Sequence, residues 1–184
     1  MNGTARTRPA PAGSRHGVSF LWAACILGLV HAGFSVYWAV GGEWLLATVG
    51  RFAVQAAEET PAQSALVLGA AALSKAAAAV IPLAAAYGRF PFPRLVRALS
   101  WAGGAGLILY GGVNTAAASA VLAGWIPAGP NADIEGLRGH ALLWDPLFLA
   151  WGASLLAYLW LSRRHPQRPG PGHAGPAHEN PGAG

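Results

Sequence analysis

Lys75, the only lysine in the chain, stands near the middle of the apolar run 62–87. An ammonium group in hydrocarbon costs about 2.5–3.5 kcal/mol on insertion scales, and such a residue marks a functional site by default. Its stem is too short to snorkel from mid-membrane to either headgroup layer. Ala71, Ala72, Ala78 and Ala79 share its helical face, so that face is expected to pack inside a bundle. The side chain, leaning toward the helix N-terminus, is expected to point into the outer half. Two readings stand: a charge serving a polar pocket, or a lysine that is neutralised or bonded to carbonyls and purely structural. His31 shares a face with Ser35 and Trp38 and suits proton-linked or ligand chemistry, or else a hydrogen bond to a neighbouring helix. Asn114, one turn after Tyr110, suits interhelical hydrogen bonding. Asp145 precedes Pro146, which reads first as an N-cap and N1 pair starting a helix; the same carboxylate is the first candidate counter-ion for Lys75. Glu43, beside Gly41 and Gly42, is the second. Ligand-binding or polar-pocket candidates are thus His31, Lys75, Asn114, Asp145 and Glu43.

No catalytic set accompanies them. Paired carboxylates, a cysteine pair, an HExxH sequence and a phosphate loop are all missing, so the reading leans away from an enzyme and expects no cofactor. Cys25 stands alone in an apolar block, which excludes an intrachain disulfide or a multi-cysteine metal site; a small buried side chain accounts for it, and no metal is expected.

The elements that must position these residues are four apolar blocks, about 18–40, 62–87, 99–125 and 142–162, in a chain that is 54% hydrophobic and only 10% charged. Roughly 20 apolar residues span a bilayer as a helix, so the expected fold is all-α: a four-transmembrane-helix bundle over residues 18–162. A signal-peptidase pattern at Val30-His31-Ala32 competes for the first block, but the apolar run continues past it, and retention is expected. Trp44, Leu45, Val49, Phe52, Ala53 and Ala56 recur at helical spacing, which predicts a short amphipathic helix on the outer membrane face. Thr60, Pro61 and Gln63 form a capping-box pattern at the start of the second span. Pro91 and Pro93 end it in a tight inner turn. In the third block Gly111, Thr115 and Ser119, and Gly112, Ala116 and Ala120, form small-residue stripes for close helix approach. Tryptophans 22, 101 and 160 are expected at the inner interface, 38, 44, 125 and 144 at the outer one. The stretches 1–17 and 163–184 are expected to be disordered cytoplasmic tails.

The formal charge of +5 does not point to nucleic acid. Arg6, Arg8 and Arg15, then Arg89, Arg94 and Arg97, then Arg163, Arg164 and Arg168 alternate with connections carrying Glu43, Glu58, Glu59, Asp133 and Glu135. That alternation is the positive-inside pattern of a four-span protein with both ends in the cytoplasm.

His31 followed by Trp38-Ala39-Val40-Gly41-Gly42, and later Trp144-Asp145-Pro146-Leu147-Phe148-Leu149-Ala150-Trp151-Gly152, resemble a group of small four-helix bacterial membrane proteins labelled domain of unknown function 3995. The resemblance covers about residues 20–162. It implies a multi-pass membrane protein and assigns no activity, hence no catalytic residues. The Ala-, Gly- and Arg-rich composition fits a high-GC bacterial genome, and the plasma membrane is the expected location. Two functions compete. One is a non-enzymatic membrane protein acting through helix contacts with itself or a membrane partner. The other is a small carrier or ligand-binding protein with an outward-facing pocket around Lys75, His31 and Asp145. Convergence of those residues on a cavity would favour the second.

Overall fold

The computed structural model describes residues 15–164. The expected tails lie outside the described residues except at 15–17 and 163–164, which are helical. Every regular element among the described residues is a helix: α1 Arg15–Ala39, α2 Arg51–Glu59, α3 Pro61–Ala86, α4 Pro93–Leu122, α5 Ile134–Gly139 and α6 Asp145–Leu161, with a 3-10 turn at Leu46–Thr48 and a π-helical turn, His140–Trp144, joining α5 to α6. Four helices are long and apolar enough to cross a membrane: Gly17–Ala39, Pro61–Ala86, Pro93–Leu122 and the continuous Ile134–Leu161.

The pattern of burial follows from the sequence of each helix. In α1, Leu21, Ala24, Cys25, Gly28, His31, Ala32, Ser35 and Trp38 are buried at helical spacing, so one stripe faces inward along its length. The same holds for Trp151, Leu155, Tyr158 and Leu159 of α6. α1 and α6 are the central pair: 39% of their most apolar stretches is buried, against 11% for α3 and α4. α3 lies antiparallel against α1, and α4 against α6, so two helical hairpins meet across the α1–α6 seam. α3 and α4 touch only lightly. An almost wholly apolar groove of about 400 Å³ separates them, with Trp151 and Leu155 of α6 on its floor.

The closest approach is between α4 and α6. Buried Ser100, Gly104, Gly111 and Ala118 form the contact stripe of α4, which shares only Gly111 with the stripes expected from sequence. A Cβ at Gly152 would lie 2.6 Å from the Gly104 carbonyl, and one at Gly111 would lie 2.5 Å from the Asp145 carbonyl. Only hydrogen fits there, and packing of this kind holds helices together where lipid offers no hydrophobic drive.

Several local expectations need correction. The last long helix starts at Ile134, not near 142, and its N-cap is Asp133, whose Oδ1 accepts from the Gly136 amide at 3.0 Å. Asp145 therefore caps nothing; it lies eleven residues inside the helix (145 − 134 = 11). Pro146 has no N–H to give the carbonyl four residues back, and the π turn that precedes it spreads the backbone where a regular ladder would fail. Thr60 occupies the N-cap of α3 without a side-chain cap; its hydroxyl donates to the Ala56 carbonyl, which ends α2. Pro93 opens α4 at its N1 position instead of only ending α3. Trp38 and Trp144, expected at the outer interface, are buried in a cluster with Leu46. The short amphipathic helix is α2, but its packed residues are Ala53, Val54 and Ala57, and Phe52 points outward.

α2 and its 3-10 turn close one end of the molecule, the loop end, opposite the turn at 87–92. Asp133 also receives the Arg51 amide on Oδ2 at 2.6 Å, so one carboxylate caps α5 and the first turn of α2 together. Those two amide donors, Gly136 first and then Arg51, hold the Asp133 carboxyl below the usual range. Gly50, at φ 135°, supplies the backbone bend that delivers the Arg51 amide to it. At the turn end, Arg97 donates to the Leu159 carbonyl at 2.6 Å and to the Ser162 hydroxyl at 2.9 Å, satisfying the last turn of α6.

Candidate functional site

Apart from Ser100, whose hydroxyl donates to the Val96 carbonyl, the buried polar and charged side chains His31, Ser35 and Asp145 lie in the half of the molecule nearer the loop end, in two groups. In the first, Lys75 of α3 donates from Nζ to Ser35 Oγ of α1 at 3.0 Å. Ser35, 1% exposed, in turn donates to the His31 carbonyl at 3.2 Å, as serines in apolar helices commonly do. Nζ also stands 5.6 Å from the centroid of the Phe148 ring of α6, within cation–π range. His31 lies flat on Phe148, with centroids 3.8 Å apart and planes 16° apart. Its Nε2 is buried without a hydrogen-bond partner.

The second group is built on the π turn. Asp145, fully buried, places Oδ2 2.9 Å from Nδ1 of His140. His140 Nε2 lies 3.1 Å from the Val49 carbonyl, just ahead of α2. Asp145 Oδ1 is buried without a partner. One residue away, the Trp144 indole donates to Thr48 Oγ1 at 3.0 Å, and Trp38 donates to the Trp44 carbonyl at 3.0 Å. Phe34, Trp38 and Trp144 pack tilted or edge-on, with centroids 5.0–5.6 Å apart. His140 and Trp144 thus fasten the loop-end segment to α6 from two sides.

Lys75 does not pair with Asp145 or with Glu43. Phe148 fills the space beneath Lys75 and His31, Tyr110 meets that ring edge-on at 5.6 Å from α4, and the Asp145 carboxylate turns to His140. Glu43 is exposed in the loop-end connection. Asn114 is half-buried on α4, and no interhelical hydrogen bond to it is present among the described residues. The five candidates therefore do not converge on one cavity: His31 and Lys75 are joined through Ser35, Asp145 belongs to His140, and Asn114 and Glu43 stand apart. Among the described residues, no three His, Cys, Asp or Glu side chains gather as a metal site would require.

Sequence reasoning missed His140. Five residues at 100° each put His140 and Asp145 on different faces of an α-helix, whereas the i→i+5 geometry of a π turn stacks them. Pro146 was the available signal, because an interior proline demands some departure from the α ladder. The side chain of His140 is 33% exposed and lines an open cleft of about 430 Å³ at the loop end, with Val49, Gly50, Asp133 and Gly136 among its other walls.

A family model described as "Protein of unknown function (DUF3995)" matches residues 28–155, a stretch that contains both groups. No curated protein and no solved structure matches the chain.

Proposed function

Because the chain belongs to the DUF3995 family, whose description assigns no activity, function must be read from the molecule itself, and we propose a multi-pass integral protein of the bacterial plasma membrane, both termini cytoplasmic, that acts without catalysis through helix contacts with itself or a membrane partner. The four apolar helices support the membrane reading, and the alternation of arginine-rich and acidic connections supports the orientation. The observation that carries the contact reading is how the interior is filled. Phe148, Trp144 and Trp151 occupy the space between the polar groups, while α3 and α4 turn Leu66, Leu73, Leu109 and Val113 outward.

A photo-crosslinking residue at Leu73 or Leu109 in living cells tests this. Protein adducts at either position are expected; lipid adducts alone at both would overturn it. Orientation is checked separately, with cysteines at Gly3, Ala56, Asn131 and Gly175 in a Cys25→Ala background. An impermeant thiol reagent should label only the middle two in intact cells. A second reading, an outward-facing ligand-binding or carrier protein, is favoured by the buried, unpartnered His31 Nε2 and Asp145 Oδ1, since such atoms ordinarily find partners. It predicts that Lys75→Met abolishes any cellular phenotype while the crosslinks persist.

A further inference from the structure

The two contacts of His140 cannot both be made by a neutral ring facing an ionised carboxylate. The Val49 carbonyl only accepts, so Nε2 must carry hydrogen to bond it. A neutral ring protonated there presents a lone pair at Nδ1, and an ionised Asp145 presents another at Oδ2, 2.9 Å away. The other neutral tautomer satisfies Asp145 and sets the Nε2 lone pair against the Val49 oxygen. Both contacts are made together only when one additional proton lies between Nδ1 and Oδ2. That proton belongs to the pair: imidazolium with carboxylate and imidazole with carboxylic acid have the same composition.

We propose that His140 and Asp145 form a one-proton binding site, filled from the loop-end cleft, whose occupancy clamps the segment 46–59 onto the bundle. Access is one-sided. His140 is a third exposed and lines the cleft, whereas Asp145 is 1% exposed and does not line it. The charged and titratable surroundings are few. Tyr110 faces Asp145 from α4, and Asp133 acts on His140 from the cap of α5, itself bonded to the Arg51 amide of α2. His31 of α1 and Lys75 of α3 lie beyond Phe148. When the proton leaves, Asp145 is an uncompensated buried carboxylate, which is very costly unless the ring takes the Nδ1–H tautomer and donates to it. That tautomer gives up the Val49 carbonyl, the link by which the ring holds the entry to α2.

The test uses the full chain in lipid nanodiscs, with a spin label at Gln55→Cys, an exposed position of α2, in the Cys25→Ala background. With both partners native, the ratio of mobile to immobile label should rise about tenfold per pH unit through one transition between about pH 5 and 10, the slope of a single proton. Asp145→Asn places a permanent N–H donor against Nδ1, so its label should stay immobile throughout that range. His140→Ala removes the ring's link to Val49, so its label should show no transition and stay more mobile than the native one at the acid end. The asparagine variant keeps the volume and shape of the native side chain, so an immobile label also reports an intact fold. The proposal is overturned if the native pair shows no transition, or if either variant retains the native one.

Discussion

Two glycines of α4, Gly106 and Gly111, differ by little more than a turn and should respond to the same substitution with opposite sign. A Cβ at Gly106 meets nothing within 4 Å, so Gly106→Ala only restricts the unfolded chain and should stabilise by about 0.4–1 kcal/mol. A Cβ at Gly111 would lie 2.5 Å from the Asp145 carbonyl oxygen and 2.7 Å from the Leu149 nitrogen, both backbone atoms that cannot swing aside. Ordinary contact begins at 3.4 Å, so α4 and α6 must separate by 0.9 Å there (3.4 − 2.5). A gap of roughly 0.5–1 Å forfeits a quarter to a half of each dispersion contact along the seam, and overpacking of this kind costs about 1–3 kcal/mol. The two variants should therefore lie roughly 1.4–4 kcal/mol apart. Reversible unfolding in mixed detergent micelles, followed by tryptophan fluorescence, reads the difference. If Gly111→Ala fell within about 0.5 kcal/mol of Gly106→Ala, the size of an ordinary surface effect, the α4–α6 approach described above would be wrong.

Three further outcomes follow from contacts already described. In a double-mutant cycle, Lys75→Met and Ser35→Ala should couple by about 0.6 kcal/mol, the average for hydrogen bonds between membrane helices, and by no more than about 1.7, whereas Lys75→Met and Asp145→Asn should be additive; thermal unfolding of the singles and doubles distinguishes them. Asp133→Ala removes a carboxylate that caps two helices and should cost about 1–2 kcal/mol. Because the folded Asp133 carboxyl lies below its ordinary value, its contribution is complete above that value and is lost as pH falls through the depressed one; stability of the native and variant chains should converge at acid pH. Intact mass of the purified protein should show no N-terminus at Gly33, because α1 is continuous through the buried residues His31 and Ala32.

The long helices were legible because apolar length alone decides them, and the start of α3 was legible because Thr60 and Pro61 carry their own signal. What sequence spacing could not supply was the local backbone. Counting residues at the α-helical angle separates His140 from Asp145, and it also hid the true start of the last helix behind Pro146, which looked like a first-turn proline. Pairing Lys75 with a carboxylate followed from charge alone. It failed because the nearest polar group on the facing helix was the small hydroxyl of Ser35, buried and apolar-looking in a sequence scan. Trp38 and Trp144 were assigned by type to a water–lipid boundary, yet each found its indole N–H partner inside the molecule, at the Trp44 carbonyl and Thr48 hydroxyl, and so could be buried.

The central seam joins the first long helix to the last, and this fixes an order of assembly. A hairpin of α1 and α3 can form as soon as both have emerged from the ribosome, but the face of α1 that carries His31 has no cover until the final helix brings Phe148. That face stays open for the whole time α4 is being made. A chain stopped after α4 would hold its peripheral hairpin partner and lack its centre. It should be recognised as incomplete and degraded, while a separately expressed 123–164 fragment should restore it by docking across the same seam.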